Sequence, residues 1–455
     1  MLGTGAAALL FALAQTSSAV AAPIASPADR AAVQARPAPA TAPIPASAGF
    51  IDAAVLTSPI PTSQCVTQFG IHCYSPLQYR TAYDLDPVYQ HHITGAGRTI
   101  VIVDSFGSPA IQNDLHVFDA QWGLPDTTVQ VVKAGNVPPF DPTDSTMTGW
   151  AGESTLDVEY AHAMAPGAKI VLLETPVAET EGVTGFPEMM KAEKQLIDHG
   201  VGDVISQSFG ATENTFPGFD QGNHSSLLSL RYAFQDAAAH RVTVLAASGD
   251  AGATDYVLDG SAFYPYPVNS WPSSDPLVTS VGGTQLLLDD TGKRLAPDTV
   301  WNDGYGAGGG GLSAVFKRPA FQNGVRSVVG DHRGTPDISA SAAVNGAAWF
   351  YYSYDPARVG WHLVGGTSEA TPIFSGIAAL ADQAAGRRLG NLDDELYWLG
   401  QGRNASRNGF VDVTTGNNSF SGVTGYTAKP GYDLASGLGT FDGAKFVRAL
   451  ATWAF

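Results

Sequence analysis

Only two cysteines, Cys65 and Cys73, occur among 455 residues. A disulfide-laced scaffold is thereby excluded, and two cysteines alone do not make a tetrahedral zinc site. In an exported chain the pair, with residues 66–72 between them, would close one small disulfide loop. Cations are scarce as well: 24 Lys and Arg face 42 Asp and Glu, a formal net charge of -18. No basic cluster tracks a phosphate backbone, so nucleic acid is not an expected partner. Few cations also mean little self-repulsion once carboxylates take up protons, which suits work in acid. Long apolar runs are missing beyond the N-terminus: none reaches the roughly 18 residues of a membrane span. There is no internal repeat. Apolar residues are plentiful, 44% hydrophobic against 15% charged, enough for one large domain or a few small ones.

The run Gly5–Ala14 followed by Ala-Val-Ala-Ala at 19–22 reads as a signal peptide over 1–22, hence a secreted, extracellular protein. No Lys or Arg precedes that run, so Met1 lying inside a longer leader is the alternative. Residues 23–62, rich in Ala, Pro and Ser, read as a disordered linker or a remnant pro-segment. The folded domain is expected over 63–455. A short helix is expected within Tyr74–Tyr83. Strands are expected at Thr99–Val103, Lys169–Leu173, Asp203–Ser206 and Val242–Ala246. Helices are expected around Asn113–Leu115, at Gly152–Tyr160, Glu188–His199 and Leu227–Ala239. Strands alternating with helices predict an α/β fold, a parallel doubly wound sheet with helices on both faces. Residues 259–330 read as loop, and the glycine run 308–311 as irregular.

Three places carry candidate chemistry. Gly365-Gly366-Thr367-Ser368 runs into Ile373, Phe374, Ile377 and Leu380, a buried helix face, with Pro372 expected in the first turn. Ser368 therefore sits on a tight turn at a helix N-terminus, where backbone N–H groups would favour an oxyanion; a simple helix cap is the alternative. Glu153 and Asp157 lie four apart on one helix face. Stacked carboxylates repel when both are ionised, so the pair would share a proton, unless it is a solvated acidic face. Asp250 follows a buried strand at its carboxyl end, where ligands of such sheets bind, or it caps a turn.

Taken in order, these pieces resemble the sedolisins, the serine-carboxyl peptidases with a subtilisin-like fold. The shared marks are Glu153-x-x-x-Asp157, Ala165–Ala168, Val204–Gly210, Ala247–Asp250, Val281–Thr284, Gly309–Ser313, Arg333–Ser339, Gly366–Ser368 and the Asp412/Asp433 region. They cover the chain from near Tyr74 to its C-terminus. The resemblance implies Ser368 as nucleophile, Glu153 as general base and acid, Asp157 as its orienting partner and Asp250 as oxyanion donor. It implies hydrolysis of unfolded protein or peptide in acid by a monomer. By analogy with subtilisin-fold clefts, substrate backbone would pair along Ser206, Gln207, Ser208, Phe209 and Gly210. It also implies one structural Ca2+ held by Asp412, Asp433 and the carbonyls of Val413, Lys429 and Gly431, an oxygen-only shell.

The chain departs from the family in two ways. Glu369 follows the serine where a small residue is usual, and about fifty residues stand where a long folded pro-domain is usual. Two other readings stay open: a secreted homologue that binds peptide without cutting it, and an Asp-His-Ser subtilisin using Asp104. None of the ten histidines has the sequence context of a subtilisin histidine; His162 is merely on the carboxylate helix.

Overall fold

The computed structural model describes residues 51–452. The signal peptide expected over 1–22 and residues 23–50 of the expected linker lie outside the described residues. The rest of that linker is not unstructured: Ile51–Leu56 forms a strand, paired antiparallel with Gly360–Val364. A sheet edge offers unpaired backbone groups, and this segment satisfies them. Cys65, in a helix over Thr62–Phe69, is bonded to Cys73 with 5.9 Å between the Cα atoms.

Eight strands build the central sheet: β1 (Thr99–Ser105), β2 (Val129–Lys133), β3 (Lys169–Thr175), β4 (Val204–Gln207), β5 (Thr243–Ala247), β6 (Thr279–Gln285), β7 (Thr299–Val300) and β8 (Ile338–Ser341). In space they run β7-β6-β5-β4-β1-β3-β2, with β8 also on β6. Every pairing is parallel except β7 on β6. The crossovers carry α1 (Ile111–Trp122), α2 (Ser145–Met164), α3 (Phe186–Asp198) and α4 (Tyr232–Ala239); α5 (Thr367–Ala385) and α6 (Gly443–Thr452) come later.

Both sheet faces are dry. Ile100 and Ile102 enter one core with Leu156, Ile373 and Phe374, while Val101 and Val103 enter the other with Phe186, Met190 and Phe234. Alternation with apolar side chains on both faces is what helices on both sides demand. The expected doubly wound α/β architecture is present.

Local expectations fail where tertiary pairing outweighs propensity. The stretch expected to be loop contains β6, whose Thr279–Val281 ladders with β5 and whose Gly282 and Gly283 ladder with β8. Gly311, last of the glycine run, opens a strand, Gly311–Lys317, paired with His332–Thr335. The helix expected over Leu227–Ala239 is broken: Ser229–Arg231 tightens into a 3-10 turn. There the Ser229 hydroxyl donates to the Ser226 carbonyl at 3.1 Å, and Arg231 is clamped by two bonds to Asp275.

Two long helices position the site. In α2, Asp144 caps the start by accepting from the amides of Thr146 and Met147 at 2.8 and 3.2 Å, and residues 150–164 are buried on every side. In α5, Ile373, Phe374, Ile377 and Leu380 are all fully buried, as their spacing predicts. Pro372 is not in the first turn; it is the sixth helical residue. It is tolerated there although it withholds one intrahelical donor. The two helices pack face to face, so closely that a Cβ on Gly376 would overlap the Cβ of Met164. Gly376→Val should therefore destabilise the fold by about 1–3 kcal/mol, read as a lower midpoint in urea unfolding with unchanged slope. An unchanged midpoint would mean that the helices are free to separate.

Candidate active site

The strand Gly360–Val364 leads through Gly365 and Gly366 straight into α5, placing Ser368 as the second helical residue, 2% exposed. Gly366 is the hinge of this turn. Its φ is +144°, and a Cβ there would lie 2.7 Å from Asp250 Oδ2. Asp250 comes from the loop after β5. Its Oδ1 accepts from the Thr367 amide at 2.7 Å and the Thr367 hydroxyl at 2.8 Å, and the same hydroxyl accepts from the Gly249 amide at 3.1 Å. Oδ1 is thus occupied twice as acceptor.

Glu153 and Asp157 are buried on α2, 2% and 0% exposed, so the solvated acidic face is excluded. Burial first, then the neighbouring Glu153 and Asp104, push the Asp157 carboxyl well above its ordinary pKa. Its Oδ1 accepts from the Ser208 hydroxyl at 3.0 Å, and that hydroxyl oxygen lies 3.5 Å from the Ser368 carbonyl. Pro372 has no N–H for this carbonyl, so Ser208 is the polar neighbour that joins the carboxylate helix to the nucleophile turn.

The five residues expected to pair with substrate separate into two groups. Phe209 and Gly210 line the cavity at Ser368. Ser206 and Gln207 are buried inside β4, with Gln207 donating to Glu193 at 2.6 Å, and Ser208 serves Asp157. Strand residues in the middle of a sheet face the cores, and only the chain beyond the strand end reaches the cleft. Asp104 is buried and its pKa is raised by burial, but no histidine lines the cavity. His162 Nε2 instead lies 2.9 Å from the Pro125 carbonyl and 3.2 Å from Asp119. An Asp-His-Ser site is thereby excluded. Glu369 is buried; desolvation pushes its pKa up to about 8, and its carboxyl faces the hydroxyls of Tyr79 and Ser341 rather than the cavity.

At the far end of the chain, Asp412 Oδ2 accepts from the Gly431 amide and Asp433 Oδ2 from the Lys429 amide, each at 2.9 Å. Both carboxylates are thus gathered at one turn. Sequence reasoning missed the cavity acids Glu179, Glu181 and Asp255, which come from two separate loops and share no spacing signal.

Residues 145–395 match the model of the subtilase family. Kumamolisin of Bacillus sp. (strain MN-32) is 32% identical over 389 residues, covering 83% of this chain and 63% of the relative. Sedolisin of Pseudomonas sp. (strain 101) is 31% identical, covering 82% and 60%. The chain therefore spans about three-fifths of the length of these relatives. The solved structure of Pseudomonas sedolisin, complexed with two molecules of pseudo-iodotyrostatin, superposes with a TM-score of 0.69 at 29% identity, covering 85% of this chain and all of that one.

Buried acids set how stability varies with pH. Burial pushes Glu193 and Glu369 up to about 8 and Asp382 up to about 7. A raised folded-state pKa means that the folded form holds its proton more tightly than the unfolded chain. That stabilisation is complete below the unfolded value near 4 and is lost as pH rises through about 7–8. The melting temperature should therefore be highest in acid and fall between about pH 5 and 8. In Glu193→Gln, which keeps an acceptor for Gln207, the fall should be shallower. A melting temperature that climbs across this range would contradict the assignment.

Proposed function

Because the chain belongs to the subtilase family, with the sedolisins as its relatives, we propose that it is a secreted, acid-acting serine-carboxyl peptidase hydrolysing unfolded protein or peptide. The observation that carries this reading is Asp250 held against the nucleophile turn beside Ser368, with the buried helix of Glu153 and Asp157 packed on the serine's helix and joined to that turn through Ser208. Among the described residues no helix is long and apolar enough to cross a membrane.

In this mechanism Ser368 Oγ attacks the scissile carbonyl carbon as Glu153 takes its proton. Asp157, whose Oδ1 is engaged by Ser208, holds its own proton on Oδ2 and orients Glu153. Charge develops on the carbonyl oxygen and is met by the Oδ2 proton of Asp250. Glu153 returns its proton to the leaving amine, and the acyl group on Ser368 is then released by water. A carboxylate base works at pH values where an imidazole would already be charged.

Ser368→Ala and Glu153→Gln should each lower kcat on a denatured protein by at least about a thousandfold while melting normally. Wild-type activity should be highest in acid; an optimum above neutral pH would remove Asp250 as oxyanion donor. Full turnover in folded Ser368→Ala would sink the reading. Peptide binding without any cleavage by the wild type would favour a binding homologue instead.

One structural calcium belongs to the same proposal. Among the described residues no three His, Cys, Asp or Glu side chains are grouped so as to hold a metal ion, so an ion would need backbone carbonyls. Asp412 and Asp433, drawn to the turn 429–433, with the carbonyls of Val413, Lys429 and Gly431, supply an oxygen-only donor set of the kind a hard cation prefers. Calcium at a hundredfold excess over its Kd should stabilise the fold by about 2.7 kcal/mol. A chelator titration at pH 6 should lower Tm and release the metal; no change in either would remove the site and leave the catalytic proposal intact.

A further inference from the structure

We infer that the cavity beside Ser368 receives an arginine or lysine side chain from the residue whose carbonyl is attacked, and that Glu179 determines this specificity. The inference rests on the peptidase reading above and gives it a substrate class.

The cavity holds about 350 Å³ and is open to Ser368 and Asp250. That is room for the longest natural side chain, and its contact with the nucleophile assigns it to the side chain nearest the attacked carbon. Its walls are amphipathic. On one side Tyr256 and Phe263 lie with ring centroids 4.4 Å apart, and Phe420 packs edge-on to Phe263 at 5.8 Å. Such faces take a methylene stem and can stack on a guanidinium. On the other side stand three carboxyls, Glu179, Glu181 and Asp255, and no Lys, Arg or His lines the space.

The three acids are not equivalent. Glu181 accepts from the Thr212 amide and the Thr215 hydroxyl, both at 2.9 Å. Asp255 accepts from the Tyr256 amide at 2.9 Å and the Ser270 hydroxyl at 2.5 Å. Glu179 is 2% exposed, lines the cavity, and accepts no hydrogen bond from any described residue. With no donor among the described residues, the Glu179 carboxyl can take a strong partner only from the cavity side. A cationic head group would meet Glu179 directly, with the two braced acids on the same wall. A glutamate side chain would be repelled, and an apolar one would leave Glu179 unmet.

Burial holds Glu179 and Glu181 well above the ordinary carboxylate range and raises Asp255 too. The other titratable groups facing them are Asp250, Tyr256 and Tyr305, none of which is a cation. An entering guanidinium favours the ionised carboxylate. The preference for a basic residue should therefore sharpen as pH rises from the acid limit towards neutrality.

The test is a cleavage profile of a peptide library at about pH 4 and pH 6, products sequenced by mass spectrometry. Fragments ending in Arg or Lys should dominate, more so at the higher pH. Glu179→Gln should lower the ratio of kcat/KM for Arg over Phe substrates by roughly tenfold. Wild-type cleavage with no basic preference, or before basic residues rather than after them, would overturn the inference while leaving the peptidase reading standing. Calorimetry of argininamide and phenylalaninamide with Ser368→Ala separates the two claims and does not depend on the Glu179 variant folding. Tighter argininamide binding by Ser368→Ala, together with no cleavage by the wild type, would keep the cavity assignment and remove the peptidase. Equal binding of the two amides would overturn the assignment.

Discussion

The constraint on which the site depends is the close contact between α2 and α5 at Gly376 and Met164. Everything in the candidate active site descends from it. One helix carries two buried carboxyls, the other carries the serine, and neither helix can rotate or slide without driving a side chain into its neighbour's backbone. Ser208, at the end of a central strand, then spans the remaining gap from Asp157 to the serine's own carbonyl. The sheet contributes Asp250 from the next strand end, held by Thr367. Each group comes from a different element, and each element is fixed in a dry core.

Much of this is legible in the residues. The strand at 99 is a continuous β-branched run, those at 169, 204 and 243 are short and largely apolar, and the buried face of α5 follows helical spacing, so class and layering are readable without coordinates. Glu153 and Asp157 are legible as a pair because their spacing is helical. What spacing cannot convey is depth. Whether a carboxylate pair faces water or a core depends on chain that arrives from elsewhere, as α5 does. The same holds for β6, whose glycines read as loop until the ladder to β8 holds them, and for Pro372, which sits mid-helix because packing outweighs one lost hydrogen bond. Ser206 and Gln207 look like cleft residues only because Phe209 and Gly210, just beyond the strand end, are. Glu179, Glu181 and Asp255 meet across loops, and no periodicity links loops.

The stock of buried acids is unusual in kind. A core that hides carboxyls usually answers them with arginine, as Arg333 answers Asp337 here with two hydrogen bonds. Most of the others have hydroxyl or amide partners instead: Asp157 has Ser208, Glu193 has Gln207, and Asp114 has Ser353. Each of these donors pulls its carboxyl's pKa down, but burial outweighs it and holds all three above their ordinary range. The scarcity of Lys and Arg in the composition and the protonated interior are two sides of one arrangement, in which the surrounding solution supplies the neutralising charge.

That arrangement makes folding a proton-consuming reaction. Around neutrality an unfolded chain carries these side chains ionised, and forming the core must draw hydrogen ions out of solution, one for each acid that is sealed in neutral. A refolding mixture in weak buffer would turn alkaline as the native state forms, and its heat would change with the ionisation enthalpy of the buffer chosen. The hydronium concentration thus enters the folding equilibrium as a reactant, with a stoichiometry written in the side chains of Glu193, Glu369 and Asp382.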